Sequence, residues 1–352
     1  MLLAEARDAC DTDSMIPPSS PNAYTGSPLD RASERRRDAE WLATHRHDAA
    51  SRFVPMWRGK VMLRGQGGAP VAALLSGAEA QACREAERWA LLGLQDGVAV
   101  FAADLGPEHE VAPLPELGRF EDLRAVVADL DAGEAAILAH ARGLMVWRGR
   151  TLFCAGCGAS TAPQDGGTML TCTRCGTHHF PRTDPAVIML VTHRDRALLG
   201  HAQRFANAAM YSTLAGFVEP GESLEEAVAR EVFEEAGVRV ARARYHSSQP
   251  WPFPSSIMLG FYAEASDEAI RIDNEELTDA RWFTRAQVRD RAAGGFDIPP
   301  PDSIARRLID DWVAAEGSKV EALPQTPPKA RLWKPILRAF FVYSDAYPEL
   351  VM

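Results

Sequence analysis

The sequence predicts an α+β protein. Its main part is a mixed sheet with helices packed on it, preceded by a pair of metal knuckles and a small α+β domain. Three observations carry this. Residues Gly216 to Val238 read as a glycine- and proline-broken loop followed by one capped, acidic helix. Cys154, Cys157, Cys172 and Cys175 form two Cys-x-x-Cys pairs separated by fourteen residues. Short apolar, often β-branched runs flank both features, and after the knuckles they follow the order strand–loop–helix–strand–strand.

The chain has 352 residues, enough for two domains or slightly more. A hydrophobic fraction of 46% and a charged fraction of 24% are ordinary for globular proteins. The formal net charge of −10 argues against a broad, nonspecific nucleic-acid surface and leaves room for a small basic pocket. No apolar run is long enough to span a bilayer. No basic stretch followed by an apolar one opens the chain, so a cytoplasmic location is the default expectation.

Residues 1–36 are rich in Asp, Ser, Pro and Arg and read as a disordered leader, with Met15 a candidate translation start. Residues 37–150 read as the small α+β domain. Trp41-Leu42 opens a helix. Strands are expected at Phe53–Trp57 and Lys60–Leu63 around a Trp57-Arg58-Gly59 turn, then at Val71–Leu75 and Gly97–Ala102. An apolar helix is expected over Glu134–Val146.

Residues 151–180 hold the four cysteines. Each pair sits in a glycine-containing knuckle, Cys154-Ala-Gly-Cys157-Gly158 and Cys172-Thr-Arg-Cys175-Gly176. Two such pairs at this spacing form the ligand set of a tetrahedral zinc site, one Zn²⁺ per subunit. Four thiolates leave no open position, so the zinc is expected to be structural. His178 and His179 lie just beyond, one a possible substitute ligand, with surface or pocket-lining roles the simpler expectation. Cys10 and Cys83 are isolated.

Residues 181–316 hold the acidic helix. Ala186–Val191 is a buried strand, Ala197–Ala202 its hairpin partner, and Leu214–Phe217 a strand entering the loop. Ser223 and Glu226 have capping-box spacing, and Gly237 sits where a helix C′ glycine belongs. Strands are expected again at Val238–Tyr245 and Ile257–Tyr262. Glu231, Glu234 and Glu235 share one helix face. Three carboxylates on one face are either a solvated surface or ligands for hard cations such as Mg²⁺ or Mn²⁺.

Gly216, Glu222, Arg230, Glu231, Val232, Glu234, Glu235, Gly237 and Val238 fill every fixed position of the pattern G-x5-E-x7-R-E-U-x-E-E-x-G-U. The stretch therefore resembles the Nudix box, which implies a Nudix α/β/α sandwich that cuts nucleoside diphosphates linked to another group. A second stretch sharpens this. Gln249-Pro-Trp251-Pro-Phe253-Pro-Ser255-Ser256 is stiffened by alternate prolines and presents two aromatic rings beside polar groups. Such rings suit a base or nicotinamide, or they plug a core. With the four cysteines before it, Pro181-Arg-Thr-Asp-Pro185, Asp273–Phe283 and Pro299–Ile309, it resembles the NADH pyrophosphatase family.

That resemblance implies the site residue by residue. Glu231, Glu234, Glu235, Glu276 and the carbonyl of Ala215 would hold more than one Mg²⁺ or Mn²⁺, and Glu235 would act as general base. Gln249, Pro250, Trp251, Pro252, Phe253, Pro254, Ser255 and Ser256 would form the dinucleotide loop. Phe180 would stack, Phe217 and Ala305 would lie near the nucleotide, and Arg124 would reach substrate from the N-terminal domain. Arg230 is expected to hold Glu222 or a box glutamate. The implied reaction is hydrolysis of NAD(H), or of an NAD cap on RNA, by a homodimer that does not enter a membrane. A Nudix enzyme for ADP-ribose or a dinucleoside polyphosphate, and a non-catalytic zinc-ribbon adaptor, are the alternatives. Residues 317–352 form a tail whose apolar segment Leu332–Tyr343 is expected to pack on the domain or on a partner subunit.

Overall fold

Side-chain alternation makes each large sheet two-faced. The structure is a computed structural model that describes residues 22–65, 69–106, 110–272 and 276–315. The first sheet comprises β1 (Arg52–Trp57), β2 (Lys60–Arg64), β3 (Val71–Ala72), β4 (Arg88–Gln95), β5 (Val98–Asp104) and β6 (Arg119–Glu121). Its order is β3-β2-β1-β5-β4, with β6 on β2, and β1 pairs with β5 in parallel. The β1–β2 turn has Arg58 at φ 51° and Gly59 at φ 74°, the two left-handed residues a tight hairpin of this hand requires.

Helices α1 (Ala39–His47), α2 (Gln81–Glu85), α3 (Leu123–Val126) and α4 (Ala132–Arg150) surround this sheet. Val54, Met56, Val100 and Ala102 pack in one core with Ile137, Leu138 and Leu144 of α4. Phe53, Phe101 and Ala103 face the other way, into a core with Leu42 of α1 and Cys83 of α2. Alternate residues of one strand thus feed two cores, as a period of two demands.

The expected hairpin and long helix are present, but the expected strand at Val71–Leu75 shrinks to two residues and a bridge from Leu75 to Phe53. Strand β4 was not anticipated. Its run Trp89-Ala-Leu-Leu-Gly-Leu94 has no β-branched residue and suits a helix equally well. The leader needs correction. Within 22–36, Tyr24, Leu29 and Ala32 are buried, and Asp30 pairs with Leu94 through both backbone bonds, 2.8 and 2.9 Å long. Gly93 permits this approach: a Cβ there would stand 2.1 Å from Asp30 O. Residues 1–21, with Cys10 and Met15, lie outside the described residues, as does the tail segment Leu332–Tyr343.

The cysteine segment carries β7 (Thr161–Gln164), β8 (Met169–Cys172) and β9 (His178–His179), antiparallel throughout. The second large sheet follows with β10 (Asp184–His193), β11 (Arg196–Ala202), β12 (Leu214–Phe217), β13 (Val240–Trp251), β14 (Ser256–Ala265) and β15 (Leu277–Thr284). Its order is β13-β14-β10-β11-β15, with β12 on β10, and β10 pairs with β14 in parallel. Val187, Met189 and Val191 of β10 face α5 (Leu224–Ala236). Ile188 and Leu190 face the other way, into the core of α6 (Arg285–Arg289) and α7 (Ile304–Ala314). This is the α/β/α sandwich with a mixed sheet. Among the described residues no helix is long and apolar enough to cross a membrane.

Candidate active site

Helix α5 is fixed at both ends by its own sequence. Ser223 Oγ accepts from Glu226 N at 3.2 Å, and Glu226 Oε2 accepts from Ser223 N at 2.8 Å. Gly237 ends the helix at φ 67°, its N–H donating to Phe233 O. Ala227, Val228, Val232 and Ala236 seat the helix in the core, which turns Glu231 and Glu235 toward β12. There Glu235 Oε1 accepts from Ala215 N at 3.2 Å. Glu231 lies against Gly216, where a Cβ would come within 1.8 Å of the Glu231 carboxyl carbon. The box glycine is therefore required by the carboxylate opposite it.

Arg230 is the hub of the loop. It grips Glu222 with two bonds, Nε to Oε1 at 2.7 Å and Nη2 to Oε2 at 2.9 Å. Its Nη1 reaches Glu231 Oε1 and Glu234 Oε2, each at 2.9 Å, and Nη2 also donates to Phe217 O. These bonds hold the Glu222 carboxyl down at about 2. The expected clamp by Arg230 is thus present, and its donors are spent on protein acceptors.

Glu231 and Glu235 behave differently. Both are buried, and burial raises both carboxyls above their ordinary value. Glu235 reaches about 8, with the charges of Glu231 and Glu276 adding to desolvation and the Ala215 amide and Arg204 opposing it. Glu234 is more than half exposed, and Glu276 is exposed. Buried carboxylates facing like charges are costly unless a cation joins them, and hard oxygen donors suit a divalent ion. The donor set fits such an ion. Among the described residues, however, these carboxylates do not close to within 4.8 Å as a group; only the four cysteines do.

The proline stretch is the end of β13 and the turn into β14. Gln249 pairs with Met258 and Trp251 with Ser256 in the ladder. Gln249 is wholly buried, and its amide bonds Ile304 N, Asp302 O and Ala23 O. Ala305 beside it is also in the core. Both side chains sit in the junction between the hairpin and α7. Pro252 is buried too, whereas Pro250 is half-buried and Pro254 exposed.

The two hairpin rings are partly spent as well. Tyr24 meets Trp251 and Phe253 edge-on at 6.1 and 5.7 Å. Arg124 lies 5.1 Å over the Trp251 ring and Arg142 4.6 Å over Phe253, with Arg142 Nη1 donating to Pro252 O. Ser255 Oγ donates to Asp184 Oδ2 at 3.0 Å, which ties the hairpin to the Pro181–Pro185 motif. Ser256 starts β14 opposite Asp184. Phe180 and Phe217 are 54% and 60% exposed, and the Phe180 ring meets His178 edge-on at 6.4 Å. Arg142, Asn22, Asp184 and Arg204 were missed from sequence. Only Asp184 carried a signal, its place in the Pro-Arg-x-Asp-Pro motif.

The four cysteine sulfurs all lie within 4.8 Å of one another, with Cys154–Cys175 at 3.7 Å and Cys157–Cys172 at 3.4 Å. Sulfurs around a tetrahedral zinc at about 2.3 Å stand about 3.8 Å apart, so the set fits structural Zn²⁺. Gly158 and Gly176 both adopt φ 74°, which folds the two knuckles alike. The N–H groups of Arg174 and Cys175 point at Cys172 Sγ, each at 3.4 Å, and lower that thiol. His178 and His179 pair in β9 and stand outside this set.

Residues 182–300 match the NUDIX domain, residues 150–180 the NADH pyrophosphatase zinc ribbon domain, and residues 50–147 the NADH pyrophosphatase-like rudimentary NUDIX domain. The NAD-capped RNA hydrolase NudC of Stutzerimonas stutzeri is 40% identical over 223 residues, covering 63% of this chain and 76% of that protein. Its namesake in Pseudomonas aeruginosa (strain LESB58) is 38% identical over 230 residues, covering 65% and 78%. The human NAD-capped RNA hydrolase NUDT12 is 45% identical over 194 residues, covering 51% of this chain. The chain spans only 42% of that longer relative. With its three parts matched in order, and most of the bacterial relatives' length covered, the chain belongs to the NADH pyrophosphatase family of Nudix hydrolases.

Proposed function

We propose that the chain hydrolyses the diphosphate of NADH and NAD⁺ to the nicotinamide mononucleotide and AMP, and removes NAD caps from RNA 5′ ends. The observation that carries this reading is the buried pair Glu231 and Glu235 packed against the Ala215–Gly216 backbone. Glu231, Glu234, Glu235, Glu276 and the Ala215 carbonyl would hold two or more Mg²⁺ or Mn²⁺. Bound there, such ions supply charge neutralisation of the diphosphate and a more acidic water. Glu235 takes the proton of the attacking water. The water oxygen bonds one phosphorus, the bridging P–O bond breaks, and the other phosphate leaves with the electron pair. Arg230 fixes the carboxylates and does not touch substrate. The exposed faces of Phe180 and Phe217 supply stacking surfaces. The same reading takes the protein as a cytoplasmic homodimer, which solution mass and fractionation test directly.

One observation favours a second substrate class. Trp251 and Phe253 are engaged by Tyr24, Arg124 and Arg142, so the hairpin presents less open ring to a nicotinamide. ADP-ribose or a dinucleoside polyphosphate is then the competing substrate. Hydrolysis of NADH, NAD⁺, ADP-ribose and diadenosine polyphosphate with Mn²⁺ or Mg²⁺ decides, wild type beside Glu235→Gln. Fastest cleavage of NADH to the mononucleotide and AMP, lost in Glu235→Gln, is the expected result. Fastest cleavage of ADP-ribose overturns the choice of substrate. Binding without cleavage overturns the enzyme.

A further inference from the structure

The turn that follows β11 stands beside the box carboxylates. Ala202 ends β11 opposite Leu277, and Gln203 N donates to Glu276 O at 3.1 Å. Between His201 and Ala202 the ladder skips Thr278, so β15 carries an extra residue just after Glu276. Bulges of this kind re-aim side chains and recur next to active sites. Phe205 N closes the turn on Ala202 O at 3.0 Å, and its ring packs on the core that seats α5. Arg204 is thus held between an anchor on the Glu276 backbone and an anchor in the α5 core.

Its side chain is not spent on the protein. Arg204 is exposed, its guanidinium stands 5.7 Å over the Phe205 ring, and among the described residues it pairs with no carboxylate. Its charge still reaches the site. Burial raises the Glu235 carboxyl, the Ala215 amide pulls it back, and Arg204 is the cation that pulls it back further. Arg230, the other guanidinium there, has its donors taken by Glu222, Glu231, Glu234 and Phe217 O. Among the described residues, Arg204 is therefore the guanidinium with donors to give beside Glu231, Glu234, Glu235 and Glu276. Carboxylates committed to divalent ions would leave it to another anion, and the diphosphate is the anion the reaction brings there. A guanidinium fork matches phosphate oxygens two at a time.

We propose that Arg204 is a catalytic residue whose guanidinium contacts the non-bridging oxygens of the departing phosphate. The inference rests on the hydrolytic reading above. As the bridging P–O bond breaks, its electron pair stays with the departing phosphate, and Arg204 compensates the charge that collects there. The guanidinium gives up no proton. A fixed cation aimed at developing charge acts on the transition state more than on the bound substrate.

The test is steady-state kinetics with Mn²⁺ on whichever of NADH, NAD⁺, ADP-ribose and diadenosine polyphosphate the wild type cuts fastest, beside Arg204→Gln and Arg204→Lys. Position 204 is exposed, so both variants should fold, with circular dichroism as the check. Arg204→Gln should lose about 10²-fold in kcat while KM changes by less than about threefold. Arg204→Lys should recover part of that loss, because it keeps the charge without the fork. The deficit should persist across the pH profile. If Arg204 acts only by lowering Glu235, its loss moves the acidic limb of the kcat profile to higher pH and the full rate returns there, which overturns the proposal. Calorimetric titration of the same nucleotide into Glu235→Gln, with and without Arg204→Gln, gives a second readout. Affinities within about threefold are expected, and a larger loss assigns Arg204 to ground-state binding and overturns the transition-state role. Unchanged kcat in Arg204→Gln overturns this inference alone. A wild type that cuts none of the four nucleotides overturns the hydrolytic reading, and this inference with it.

Discussion

The two large sheets of this protein share a plan and differ in one helix. Each has six strands and one parallel pair, β1–β5 in the first and β10–β14 in the second. Each splits its apolar residues between two cores. In the first sheet, α4 buries ten residues, among them Ala135, Ala136, Ile137, Leu138 and Ala139. In the second, α5 buries six, and two of those are Glu231 and Glu235. The same scaffold thus hosts packing in one copy and a charged site in the other. Architecture permits a site without supplying it; the supply is two carboxylates and the glycine that makes room for them.

Mutations can break this contrast. Glu235→Gln should cost about 10²- to 10⁴-fold in kcat, with unchanged circular dichroism. Leu138→Ala in α4 should do the reverse, losing about 2–5 kcal/mol of stability in denaturant melts while the folded fraction keeps its kcat. If Leu138→Ala lowers kcat at full folding, the first sheet is more than packing. Gly216→Ala should follow as a milder catalytic lesion. Its methyl would displace the Glu231 carboxylate, so activity should fall at least about tenfold, through kcat more than KM.

The acidic helix also predicts a pH signature that α4 lacks. Glu235 titrates at about 8 in the folded chain against 4.5 for the ordinary group. Between those values the native state binds more protons than the unfolded one. Stability without divalent ions should therefore be greatest below about 4.5 as far as this group is concerned, and decline as pH rises through 8. Added Mg²⁺ or Mn²⁺ should raise Tm by several degrees at pH 8 and by little at pH 5. Equal shifts at both pH values would mean the ions bind elsewhere.

What was legible in the sequence is what local spacing encodes. The capping box, the left-handed Gly237, the Arg230 clamp and the convergence of four cysteines all follow from residues close in the chain. What was not legible depends on distant packing. Asn22 Nδ2 donates to Ser248 O at 2.7 Å across 226 positions, and nothing near Asn22 announces it. The bonds of Gln249 to Ile304 N and Ala23 O likewise depend on the approach of α7 and of the N-terminal segment, which no local spacing announces. The proline stretch, expected to be extended, turns between β13 and β14 at residues 252–255, and its rings meet Tyr24, which lies within the segment expected to be a disordered leader.

The segment from Asn22 to Ala32 has a practical consequence. At one end Asn22 is held by Ser248 and by Arg307 of α7, and at the other Asp30 is stitched to β4. It is therefore a splint with both ends fixed, and its length sets the register between the hairpin and the first sheet. A chimera that exchanges the N-terminal half with a relative should be cut before Asn22 and carry the splint whole. A junction placed at the start of α1 would leave the graft without its own measure of that distance.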